Sequence, residues 1–113
     1  MTLIPTQVTF HGIPHSEALE TAIREKVAWL EHYRHDMVAC HVIVDVPHRH
    51  RHDEREFSVR VEVTVPRTGP IVASNEPHAD AYVAVHEAFN VARRRLQGAS
   101  SSRRTGAGEL QDF

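Results

Sequence analysis

Cysteine is almost missing from this chain: Cys40 is the only one. It cannot pair within the chain, and it sits in an apolar stretch instead of a Cys-x-x-Cys or Cys/His spacing, which excludes a disulfide scaffold and a structural zinc finger. Long hydrophobic runs are absent as well. Nothing approaches the roughly 20 apolar residues that span a bilayer, and no basic-then-apolar signal segment opens the sequence. The expectation is a soluble, cytoplasmic protein with no membrane partner. A dominant charge sign is also lacking: 13 Lys and Arg stand against 15 Asp and Glu, a formal net charge of −2 with histidine neutral. Composition therefore points to no nucleic-acid partner, DNA included. No glycine-rich phosphate loop is present, and no motif places a nucleophile beside a base, so neither an enzyme, a cofactor nor a small-molecule substrate is expected.

What is present fits one small domain. The chain has 113 residues, 41% of them hydrophobic, enough for a single core and too few for a second full domain. Ten histidines make the charge depend on pH. With about three quarters of them protonated at pH 6, the net charge moves to about +5. Lys26 is the one lysine and the other 12 cations are arginines, whose planar fork suits phosphate and stacks on bases.

Periodicity sets the elements. Residues 3–10 are rich in β-branched side chains, with a strand starting beyond Pro5, which lacks a ladder donor. After a turn at 11–14, Ser16 is an expected N-cap with Glu17 and Glu20 in the first turn. A helix over 17–33 then buries Leu19, Ala22, Ile23, Val27, Leu30 and Tyr33. Two alternating strands follow, with Val38, Cys40, Val42, Val44 and Val46 inward on the first and Phe57, Val59, Val61, Val63 and Val65 inward on the second. One wet face and one apolar face predict an antiparallel sheet covered by helices on one side. The polar stretch 47–54 is their exposed connection, 67–70 a turn, and 71–74 a short fourth strand. A last helix starts at the N-cap Asp80, buries Tyr82, Val85, Phe89, Ala92 and Leu96, and ends at Gly98. The fold class is α+β, in the order β-α-β-β-β-α, with two helices packed on one face of a four-stranded sheet. Residues 1–97 form the domain, and 98–113, poor in apolar residues, form a disordered tail.

Three places could carry chemistry. His48, His50 and His52 alternate in the polar loop and could turn three imidazoles to one side for a divalent metal, although the sequence supplies neither a fourth ligand nor groups to fix the rings. A solvated loop is the favoured reading, and no metal is expected. On the last helix His86, Asn90 and Arg93 form a ridge, with Arg94 further round and Arg95 adjacent. Such a ridge can follow a phosphate backbone; the same arginines can also complement the helix dipole. On the first helix Lys26 falls inside the apolar arc with Trp29 at its edge. Either Lys26 snorkels along the helix seam, or the seam binds RNA, Lys26 taking phosphate and Trp29 or Tyr33 a base.

The first-helix segments Ser16-Glu17-Ala18-Leu19 and Lys26-Val27-Ala28-Trp29-Leu30-Glu31-His32-Tyr33, the valine-rich strand pair, and Asp80-Ala81-Tyr82-Val83-Ala84-Val85 together resemble the ribosome hibernation-promoting factors and ribosome-associated translation inhibitors, formerly described as sigma-factor modulation proteins. The resemblance covers roughly residues 6 to 97. It implies a fold similar to double-stranded-RNA-binding domains and a seat in the decoding channel of the small ribosomal subunit, against its ribosomal RNA. Translation would be blocked there by occupancy, and idle ribosomes stored through stress or stationary phase. The positions that match the family's RNA-contacting residues are Lys26 and Arg94, with Arg93 and Arg95 adjacent and Arg24 an extra cation. Where the family commonly has further basic residues this chain has Glu20, Trp29 and Val91. Residues 16–34 carry three cations against four glutamates, a net of −1, and residues 80–97 carry three arginines against Asp80 and Glu87, a net of +1. Long members continue into a second, dimerising domain, so the chain resembles a short form. The alternative, from the residues alone, is a His-rich metal-binding or dimeric interaction module on the same scaffold.

Overall fold

In the computed structural model, which describes residues 4–46 and 56–105, the elements run β1 (Thr6–His11), α1 (Glu17–Glu31), β2 (Ala39–Asp45), β3 (Ser58–Val65), β4 (Gly69–Ser74) and α2 (Ala81–Thr105). The strands form one sheet in the order β1-β2-β3-β4. The order β-α-β-β-β-α is as the periodicity predicts, but the sheet is mixed: β1 runs parallel to β2, while β2, β3 and β4 are antiparallel neighbours. Alternation marks which side chains face inward and is silent on strand direction. The parallel pair arises because α1 lies between β1 and β2 and carries the chain back to the starting end of the sheet.

Both helix starts obey the local rules. The Ser16 hydroxyl accepts from the Leu19 amide (3.2 Å), and the Asp80 carboxylate accepts from the amides of Tyr82 (2.9 Å) and Val83 (3.3 Å). The far ends differ from expectation. The left-handed turn that favours glycine as a C-cap is not taken at Gly98, whose φ is not positive. The helix instead runs through Gly98 to Thr105, which Ala and Ser permit at modest cost. Residues 106–113 lie outside the described residues. The first helix ends at Glu31, and Tyr33 sits in the tightened turn after it, its amide bonded to the Leu30 carbonyl (2.8 Å).

The core is the valine face of the sheet under the apolar stripes of both helices. Val42, Val44, Val59, Val61 and Val63 are fully buried together with Ile23, Val27, Leu30, Phe89 and Leu96. Truncating Phe89 to Ala would remove the largest of these side chains, a change that costs about 3–5 kcal/mol. Three residues expected inside are exposed: Val38 (52%), Tyr33 (43%) and Tyr82 (51%). Val38 precedes β2, and the two tyrosines lie at helix ends, at the margin of the core. The opposite face of the sheet carries no helix. Its polar groups satisfy one another, with His41 between Thr9 (3.0 Å) and Glu62 (3.8 Å), Glu62 held by Arg60 (2.9 Å), and His11 against Asp45 (3.3 Å).

Candidate nucleic-acid interface

The two helices lie side by side, so residues at helical spacing on each form facing stripes. Lys26, Trp29 and Tyr33 come from α1 and the turn after it; His86, Asn90, Arg93 and Gln97 come from α2. They meet in one continuous row. Lys26 Nζ donates to His86 Nδ1 (3.0 Å), and the other ring nitrogen of His86 lies 3.1 Å from the Asn90 amide. The same ammonium stands 4.9 Å from the centroid of the Trp29 ring. Trp29 meets Tyr33 edge to face, with centroids 5.2 Å apart. The Arg93 guanidinium sits 5.4 Å from the centre of the Tyr33 ring, and its Nη1 donates to Gln97 (3.1 Å). Five candidates named from sequence, Lys26, Trp29, His86, Asn90 and Arg93, are thus brought together. Lys26 is partly buried and its ammonium lies at the seam between His86 and the Trp29 ring, as a snorkelling lysine would.

The other three candidates lie elsewhere. Arg24 is bound by Glu20 through Nε (2.9 Å) and Nη2 (2.7 Å) and donates to the Thr6 carbonyl of edge strand β1 (3.3 Å). Hydrogen bonds from His15 and Arg24 hold the Glu20 carboxyl below the usual carboxylate range. Arg95 donates to the Val72 carbonyl of the other edge strand, β4 (3.1 Å). Both arginines therefore cap sheet edges, a use of charge that protects exposed strands. Arg94 is exposed and lines a groove of about 580 Å³ with Asn75, Glu76, Glu87 and Asn90.

Arg34, counted above among the helix cations, is buried (7% exposed) and structural. Its Nη1 donates to the Leu96 carbonyl of α2 (3.1 Å), while Nε and Nη2 hold Asp36 (2.6 and 3.3 Å). This clamp fixes the end of α1 against α2 beside Tyr33. The partner, 62 residues away, is invisible to helical spacing. Gln97 was also missed; its place one turn beyond Arg93 on the same ridge was the available signal.

The loop with His48, His50 and His52 lies outside the described residues. Among the described residues no group of three or more His, Cys, Asp or Glu could hold a metal, and no helix is long and apolar enough to cross a membrane.

The family model described as sigma 54 modulation protein / S30EA ribosomal protein matches residues 6–104. The chain belongs to this family. The family is one of binding and modulating proteins, not of enzymes. The chain is 30% identical over 91 residues to a ribosome hibernation promotion factor of Deinococcus radiodurans, covering 80% of this chain and 46% of that protein. It therefore spans about half the length of that relative. Two solved structures share the fold. A ribosomal subunit interface protein from Coxiella burnetii superposes with a TM-score of 0.74 at 19% identity, covering 87% of this chain and 99% of that one. The N-terminal domain of Protein Y from Thermus thermophilus gives 0.69 at 15% identity, covering 85% and 98%.

Proposed function

We propose that this S30EA-family chain is a ribosome-associated dormancy factor that binds the decoding channel of the small subunit and blocks translation by occupancy. The match to the family over residues 6–104 is the observation that carries this reading, and the hibernation factor related over 80% of the chain supports it. The surface that would face ribosomal RNA is the α1–α2 seam with the flank of α2: Lys26, Trp29, His86, Asn90, Arg93 and Arg94. Among the described residues Lys26 and Arg93 bond to His86 and Gln97 and stand over rings, and neither meets a carboxylate, which leaves their charge free to neutralise phosphate. Arg24 and Arg95, held at the sheet edges, contribute less. Binding alone would exclude messenger and transfer RNA, and no chemistry is required.

Co-sedimentation of the purified chain with small subunits at low and moderate salt tests this. The expected result is saturable binding near one chain per subunit, weakened by salt. No association at low salt would overturn the proposal.

A further inference from the structure

The cations of the seam differ from Arg24, Arg34 and Arg60 in what they touch. Arg24 is neutralised by Glu20, Arg60 by Glu62 and Arg34 by Asp36. Lys26 and Arg93 instead stand over aromatic rings, and their side-chain hydrogen bonds go to His86 and Gln97. Two cations that meet no carboxylate among the described residues thus flank two rings in contact, in a chain whose net charge is −2. Tyr33 is substantially exposed and Trp29 partly so. A phosphate alone would need only the cations. The rings add an apolar face, which phosphate does not use and a base does.

From this geometry we infer that the seam is a single-strand site, where an unpaired RNA base stacks on the Trp29–Tyr33 pair and the phosphates on either side go to Lys26 and Arg93. Duplex RNA does not satisfy the site, because its bases are stacked on one another and their faces are closed to a side chain. A site of this kind is tolerant of sequence, since every base has a face to offer. His86 and Asn90 extend it along α2 with groups able to bond a sugar hydroxyl or a base edge. The inference rests on the ribosome-binding proposal for its biological setting, but the site can be tested apart from it.

Trp29 is the only tryptophan in the chain, so fluorescence excited selectively in tryptophan reports on this site. The probes are a short single-stranded oligoadenylate and an RNA duplex of equal length, titrated at low salt, with co-sedimentation on small subunits run alongside. Saturable quenching by the single strand, and much less by the duplex, is the expected result. With a labelled oligoadenylate, Trp29→Phe should bind within about twofold of the parent. Trp29→Leu, which keeps apolar bulk against the core but offers no ring face, should bind about tenfold more weakly, in line with the loss of one stack. Tyr33→Leu, in the exposed turn, gives the same readout without touching the core should Trp29→Leu fail to fold. Equal quenching by duplex and single strand, or unweakened binding by a folded leucine variant, would overturn the inference. Co-sedimentation without oligoadenylate quenching would overturn the stacking site and leave the ribosome proposal standing. Quenching without co-sedimentation would do the reverse.

Discussion

Replacing Arg34 with Met should destabilise the domain by about 2 kcal/mol, and the structure shows where that figure comes from. Methionine preserves most of the buried stem, so the packing loss is small. What disappears is the donor to the Leu96 carbonyl. The Leu96 carbonyl keeps its place in the ladder of α2, which runs on to Thr105, so the loss is one hydrogen bond from a charged donor, about 1.5–3 kcal/mol. The ion pair adds little, because the Asp36 side chain is 47% exposed and a half-hydrated pair is worth less than about 1 kcal/mol. In a domain of about 100 residues, 2 kcal/mol lowers the Tm by roughly 8–16 °C. Thermal unfolding followed by circular dichroism measures this directly. Arg34→Lys should fall between the two, since an ammonium reaches one acceptor but cannot reproduce the fork. A fall of less than about 2 °C for Arg34→Met would show that the clamp does not hold α1 to α2, and with it the reason Tyr33 meets Arg93.

Further outcomes follow from the same geometry. On small subunits, neutralising Lys26, Arg93 or Arg94 singly should reduce the slope of log affinity against log salt by about 0.7–0.9 each, while Arg24→Gln and Arg95→Gln should barely change it; equal slopes for all five would refute the division between seam and edge arginines. Burial pushes the Cys40 thiol up to about 12, so at pH 8 the native chain should react with a disulfide reagent far more slowly than the unfolded chain. A raised thiol value stabilises the fold below the unfolded value and loses that contribution as pH climbs from about 9 toward 12; rapid native labelling would contradict this.

The elements were legible because their rules are local. Ser16 and Asp80 cap as their chemistry dictates, and the alternating valines of β2 and β3 face the core because a strand has a period of two. Strand direction was not legible: inward and outward faces read the same whether β1 runs with or against β2. Gly98 misled for a related reason, since glycine ends a helix only where the chain turns left-handed, and here the backbone does not. Within the candidate site, the ridge of His86, Asn90 and Arg93 was readable from spacing on one helix. Its pairing with Lys26, Trp29 and Tyr33 depends on how two helices separated by three strands come to lie together. The contact of Lys26 with His86 spans 60 residues, and no local pattern encodes it. Arg24, Arg34 and Arg95 show the limit most clearly, because a cation in sequence gives no sign of whether water, a carboxylate or a backbone carbonyl awaits it.

A chain that occupies the path of messenger and transfer RNA through the small subunit must compete with both, and that competition is measurable. Small subunits carrying labelled messenger RNA and transfer RNA are titrated with the purified chain at low salt. Both labels should be released as the chain binds, near one chain per subunit, with Lys26→Gln combined with Arg93→Gln shifting release to higher concentration. Subunits that hold the chain and both labelled RNAs together would contradict it.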